Sequence, residues 1–178
     1  MAQQKFSREA LPTQRTRSAW WLATCFGIGW LRPGPGTYAS IAALLLWLPM
    51  LTAHQSTAMV FGQTLALAIG ATVMGIPIAA CVARESGIND PGFVVIDEVA
   101  GTWTALLAAC LPIAGWGVSL QAALAALVLF RVFDIWKPWP VSALDRMHGG
   151  VGIMLDDVAA GGYAFLVVIV LRVLHWLR

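Results

Sequence analysis

The sequence predicts an all-α protein built as a polytopic membrane helix bundle. Three observations carry that expectation. Of its 178 residues, 59% are hydrophobic and only 11% are charged, whereas a soluble domain carries about a quarter charged residues. The apolar residues gather into long runs, and a membrane-spanning helix needs about 20 of them. The charged residues gather instead into a few short connections. A net charge of +2, with no basic stripe interleaved by aromatic residues, gives no nucleic-acid footprint. Cys25, Cys81 and Cys110 lie in apolar surroundings without a CxxC spacing, and an odd count argues against a disulfide framework.

Residues 1–18, MAQQKFSREALPTQRTRS, form a polar, basic tail, expected on the cytoplasmic side. Residues 19–178 then read as one membrane-embedded domain. Its first stretch, AWWLATCFGIGWL, is too short to span and is interrupted by Gly27 and Gly29. It reads as a short interfacial or re-entrant helix, with Trp20, Trp21 and Trp30 suited to headgroup level. Apolar segments follow at about 37–52, 57–83, 92–111, 118–136 and 151–174. The first is short for a span, so four to five transmembrane helices are expected. The connections alternate. His54-Gln55-Ser56 and Pro112–Gly117 carry no formal charge, while RPGPG, RESGINDP and KPWPVSALDRMHGG carry most of the rest. Basic connections belong inside the cell, which leaves Arg172 and Arg178 to snorkel at the far interface.

The acids cluster near the charged ends. Asp97 and Glu98 lie in FVVIDEVAGTW, Asp134 and Asp145 flank KPWP, and Asp156 and Asp157 follow GGVG. Asp90-Pro91 reads as a helix start, which sets Asp97 and Glu98 about two turns in. Arg131 and Asp134 share a face at i,i+3, and their helix should stop at Lys137, because Pro138 disfavours helix in the residue before it. Gly152 and Ala160 flank Asp156 at i−4 and i+4, small enough to admit a close neighbouring helix. One carboxylate at the bilayer centre costs about 2.5–3.5 kcal/mol, and a group of them repels itself. A hard cation such as Mg²⁺, Mn²⁺ or Ca²⁺ relieves both costs better than zinc does. Ion pairs with Arg84, Arg131, Lys137 and Arg146 are the purely structural alternative.

The segment GWLRPGPGTYAS offers the complementary chemistry. Pro33-Gly34-Pro35-Gly36 makes a stiff turn, with Thr37 expected to cap the helix after it. A helix start exposes unpaired N–H groups. Arg32, Gly36 and Thr37 therefore outline a cradle for a phosphate oxyanion. Lys137, Arg146 and His148 bring further positive charge to the same side. Metal-binding acids beside phosphate-binding cations at a membrane interface suit chemistry on a phosphorylated lipid. An ion-coupled transporter and a non-catalytic membrane assembly subunit are the competing classes, although no internal repeat supports transport.

Four blocks in order, RPGPGT, IDEVAGTW, FRVFDIWKPWP and GGVGIMLDDVAAG, resemble the phosphatidylglycerophosphatase A family from about Phe26 to Gly162. The chain departs from that pattern at Ala39-Ser40, where Gly-Ser is expected. The resemblance implies a Mg²⁺-dependent multi-pass enzyme of the bacterial inner membrane. It would convert phosphatidylglycerol phosphate to phosphatidylglycerol and inorganic phosphate at the cytoplasmic face. By matching positions, Asp97, Glu98, Asp134, Asp156 and Asp157 inherit the catalytic and metal-binding acids. Lys137 inherits the basic position of KPWP, and Thr37 that of the PGT turn. Two chemical steps fit, attack by water activated by the cation or attack by an aspartate.

Overall fold

Apolar runs longer than a strand form helices along most of the described residues, even across the β-branched run at 167–170. The computed structural model describes residues 15–52 and 55–177, and no strand occurs among them. The elements are α1 (Arg17–Ala23), a 3₁₀ turn (Ile28–Trp30), α2 (Pro35–Trp47) and α3 (Pro49–Thr52). They continue with α4 (Thr57–Ser86), α5 (Ile96–Leu106) and a second 3₁₀ turn (Leu107–Cys110), then α6 (Leu120–Trp136), α7 (Val141–Asp145) and α8 (Gly150–Val173). Most of the expected basic tail, residues 1–14, lies outside the described residues, as do His54 and Arg178.

Local chemistry sets the ends. Ser56 and Ser119 accept from the N–H groups of Met59 and Ala122 and so cap α4 and α6. Gly87, in the left-handed region, closes α4. The helix before KPWP stops where expected: Lys137 is its left-handed C-cap, and its N–H donates to the Phe133 carbonyl at 2.8 Å.

The expected number of spans is corrected. Two helices, Thr57–Ser86 and Gly150–Val173, are long and apolar enough to cross a membrane, instead of four to five. The other apolar segments are present, but their helical parts are shorter. Residues 92–95 are a turn rather than helix, which leaves α5 with 11 residues, and α6 has 17. Hydropathy counts apolar residues whether or not they are helical, so the runs overstate the helices. Apolar side chains nevertheless face outward on four helices: Leu46 is 71% exposed, Val73 63%, Val128 61% and Leu166 59%.

The bundle has two distinct ends. At one lie the N-termini of α2, α5 and α8 and the C-termini of α4 and α6. At the other, Arg172 is 4% exposed, donates to the carbonyls of Ala108 and Gly117 at 2.8 Å, and lies 4.3 Å over the Trp116 ring. Arg172 thus does not snorkel as expected, because it ties the α5–α6 connection to α8. Trp20 is 9% exposed, stacks with Phe93 and Trp30, and its indole donates to Glu85, while Trp21 and Trp30 are exposed.

Backbone contacts determine how closely the helices approach. A Cβ at Gly161 would overlap the Gly101 carbonyl, and one at Gly101 would lie 2.7 Å from the Asp157 carbonyl. A Cβ at Gly150 would overlap the Ile76 carbonyl of α4. α8 is thus seated against α5 and α4 with no side chain between, the arrangement that small residues permit.

Candidate active site

The glycine contact places the acids. α5 and α8 run in the same direction from the charged end, and Asp97 and Asp157 each lie four residues before a contact glycine, Gly101 and Gly161. Residues four apart share a helix face, so both acids stand one turn outside the glycine seam and face one another. The start of α5 is also corrected. Val95 donates its N–H to the Ala23 carbonyl at 2.8 Å, which holds residues 91–95 out of the helix. Asp97 and Glu98 therefore lie in the first turn rather than two turns in. The positive end of the helix dipole there favours carboxylates by up to about 2 kcal/mol when they are partly buried.

One cavity of about 150 Å³ gathers Asp90, Asp97, Glu98, Asp134, Asp156 and Asp157 with Gly36 and Lys137. Asp156 and Asp157 are 6% and 5% exposed. Arg131 pairs with Glu98 and, at 3.0 Å, with Asp134. Ser40 donates to Glu98 at 3.1 Å. Lys137 bridges Asp145 and Asp156, the latter at 2.9 Å. Burial disfavours the charge on Lys137, but its two carboxylate partners outweigh that and raise its pKa above the ordinary lysine value. Burial pushes the Asp90 carboxyl up, against the nearby charge of Lys137.

The other expected residues fall in three places. Gly36 lines the cavity, and a Cβ on it would overlap the Glu98 carboxylate. Thr37 is not the cap: Gly34, in the left-handed region, is the N-cap of α2, and Thr37 is exposed in its first turn, donating its own N–H to the Gly34 carbonyl at 3.1 Å. Pro35 at the first position has no N–H, so Gly36 supplies the N–H without an intrahelical acceptor. Arg32 is exposed and outside the cavity wall. Arg146 and His148 line a neighbouring cavity of about 270 Å³ that shares Asp90, Ile153 and Asp156 with the first. Sequence reasoning took Asp90 only as a cap and gave Ser40 no role. The available signal for Ser40 was its place one turn beyond Gly36. Nothing local marks Asp90, which the fold alone brings in.

The donor set suits a hard divalent cation. Among the described residues, six carboxylates confront two cationic side chains, Arg131 and Lys137, and Asp156 Oδ1 is buried without a hydrogen-bond partner. The side chains are arranged as ion pairs, however, and among the described residues no three Asp, Glu, His or Cys groups are drawn together as a metal shell. Cysteine chemistry does not compete. Burial, with the charge of Asp97 adding to it, pushes the Cys25 thiol up to about 12, and a thiol is nucleophilic only as thiolate.

Known proteins point the same way. The profile of the family described as Phosphatidylglycerophosphatase A matches residues 21–172. The chain is 38% identical over 141 residues to the Escherichia coli K12 protein named Phosphatidylglycerophosphatase A, covering 79% of this chain and 75% of the relative. It is 35% identical over 159 residues to the Haemophilus influenzae protein of the same name, covering 88% of each. A Bacteroides thetaiotaomicron protein, provisionally named a phosphatidylinositol-3-phosphatase, is 38% identical over 154 residues, covering 85% of this chain and 91% of the relative. No solved structure matches the chain. The matched region contains every wall of the acidic cavity, and the chain belongs to the phosphatidylglycerophosphatase A family.

Proposed function

We propose that the protein hydrolyses the terminal phosphomonoester of phosphatidylglycerol phosphate, yielding phosphatidylglycerol and inorganic phosphate with Mg²⁺ as cofactor. The observation that carries this is the pairing of a six-carboxylate cavity with Lys137 and the Gly36 N–H on its rim. Asp97, Glu98, Asp134, Asp156 and Asp157 would hold the cation. When bound, Mg²⁺ neutralises phosphate oxygens and lowers the pKa of water.

The chain's own groups do the rest. Lys137, fixed by its left-handed backbone and its acid partners, and the Gly36 N–H meet the charge that grows on the phosphate oxygens. Within each DE and DD pair the two side chains project about 100° apart, so one can hold the cation while the other orients its neighbour. Water is the nucleophile: its oxygen bonds to phosphorus, the P–O bond to glycerol breaks, and the glycerol oxygen leaves with a proton. The relatives' names differ in headgroup but share a phosphatidyl phosphomonoester, the group this cavity would read.

In detergent, purified protein should release phosphate from this lipid with Mg²⁺ and not after chelation. Under single-turnover conditions in ¹⁸O-labelled water the label should enter the phosphate. Label in Asp or Glu side chains of peptides 94–103, 131–146 or 153–161 refutes water as nucleophile. Release that is indifferent to chelation refutes the metal. Loss of phosphate release in detergent together with solute movement in sealed vesicles would favour the transporter reading.

The outward apolar residues on α2, α4, α6 and α8 support placing this bundle in the bacterial inner membrane. In that placement the acidic cavity would lie at the cytoplasmic face. Single cysteines in 84–93 or 137–150, in a cysteine-free background, should resist an impermeant reagent in cells whose outer membrane alone is permeable. Labelling of either segment reverses the orientation.

A further inference from the structure

Helix α5 divides two cavities of opposite character. Asp97 and Glu98 line the acidic one. Ile96, Val99 and Trp103, at i, i+3 and i+7 on the same helix, line a groove of about 400 Å³ walled also by α2, α4 and the turn after α1. A rotation of about 100° per residue makes this division unavoidable. No charged side chain lines the groove. On α4 the small residues Ala66, Gly70 and Ala71 line it beside Leu67, Met74 and Ile78, and a Cβ at Gly70 would meet no atom within 4 Å. The groove is therefore a hollow rather than a packed seam.

We infer that this groove holds a fatty acyl chain of the lipid whose phosphate enters the acidic cavity. The inference rests on the proposed phosphatase reading, which supplies a substrate with both parts. α2 repeats the arrangement of α5, with Gly36 at the acidic cavity and Ala42 and Leu46 further along in the groove. The two compartments lie about one helix diameter apart, 10–12 Å, a gap for the lipid's glycerol and phosphodiester to bridge. This face is concave and shares two helices, α2 and α5, with the site. Lipid tails are as apolar as leucine, so the groove gains little by hydrophobicity over the bilayer. Its contribution is positional: a seated chain limits the rotation of the phosphate before reaction.

Gly70→Leu fills the hollow from a helix interior where leucine is the better helix former. Two substrates are compared in detergent, dipalmitoyl phosphatidylglycerol phosphate and its deacylated, water-soluble headgroup. The variant should lower kcat/KM for the long-chain lipid about tenfold while changing that for the headgroup less than about twofold. Equal loss on both, or loss on neither, overturns the inference. Labelling reads the groove without turnover. The same lipid carrying a photoactivatable diazirine in its acyl chain should label peptides 66–74 and 96–103, and Gly70→Leu should remove that label. A phosphatidylcholine with the same diazirine chain should label them far less. Equal labelling by the two lipids means the groove takes any bilayer chain and overturns the inference. Hydrolysis of neither substrate by the unaltered protein sinks the phosphatase reading instead.

Discussion

Asp157→Asn is expected to reduce kcat by about a thousandfold or more while leaving a folded protein at least as stable as the parent. The two halves of that expectation have separate causes. Asp157 is 5% exposed on α8, faces Asp97 across the glycine seam, and has no ion-pair partner among the described residues. A buried charge without a partner is a cost to the fold. Asparagine keeps the shape and removes the charge, so without a divalent cation the melting temperature should hold or rise. The same change removes a hard anionic ligand, so the cation should bind more weakly. Ligand binding stabilises by an amount that grows with the logarithm of concentration over Kd, which gives a reading that does not need turnover. Added Mg²⁺ should raise the melting temperature of the parent and do so much less for Asp157→Asn. A variant with parental kcat, or one that fails to fold in detergent, would show the acid to be structural. Glu98→Gln is the instructive contrast, because Glu98 is paired with Arg131. Breaking that pair leaves the Arg131 guanidinium with Asp134 as its one carboxylate partner, so this variant should lose stability as well as activity.

That contrast marks the boundary of what was legible in the residues. The helical class, the position of each apolar segment and the stop at Lys137 follow from composition, periodicity and Pro138, all local effects. The start of α5 does not, because it depends on one hydrogen bond from Val95 to Ala23, some seventy positions earlier in the chain. The number of full-length spans was overestimated because residues 92–95 are apolar but not helical. Thr37 had the right side chain for a cap, yet Pro35 starts the helix three residues earlier than a Thr37 cap requires, and Gly34 takes the cap position. In the cavity, the acids could be named from their clustering. Their mutual facing could not, since it comes from Gly101 against Gly161 on segments sixty residues apart. The spacing of each acid four residues before its glycine was in the sequence, but only the pairing of the two helices gives it meaning.

Gly36→Ala is expected to lower kcat about a hundredfold without unfolding the protein. Gly36 has no special backbone angle to protect: it sits inside the first turn of α2, where alanine favours helix by about 1 kcal/mol. What it protects is space. The added Cβ would occupy the position of the Glu98 carboxylate, the end of a flexible side chain that can give way. Yielding costs little stability, but it draws Glu98 away from Ser40 and Arg131 and alters the acid set that would hold the cation. Displacements near 1 Å cost on the order of a hundredfold in rate. The competing explanation is that alanine blocks the Gly36 N–H from the phosphate. A double-mutant cycle separates the two. If Glu98 is the target, Gly36→Ala should add little to the loss already caused by Glu98→Gln, and Glu98→Asp, with its shorter reach, should restore part of the rate to Gly36→Ala. Full additivity with Glu98→Gln, and no recovery with Glu98→Asp, would assign Gly36 to the phosphate instead.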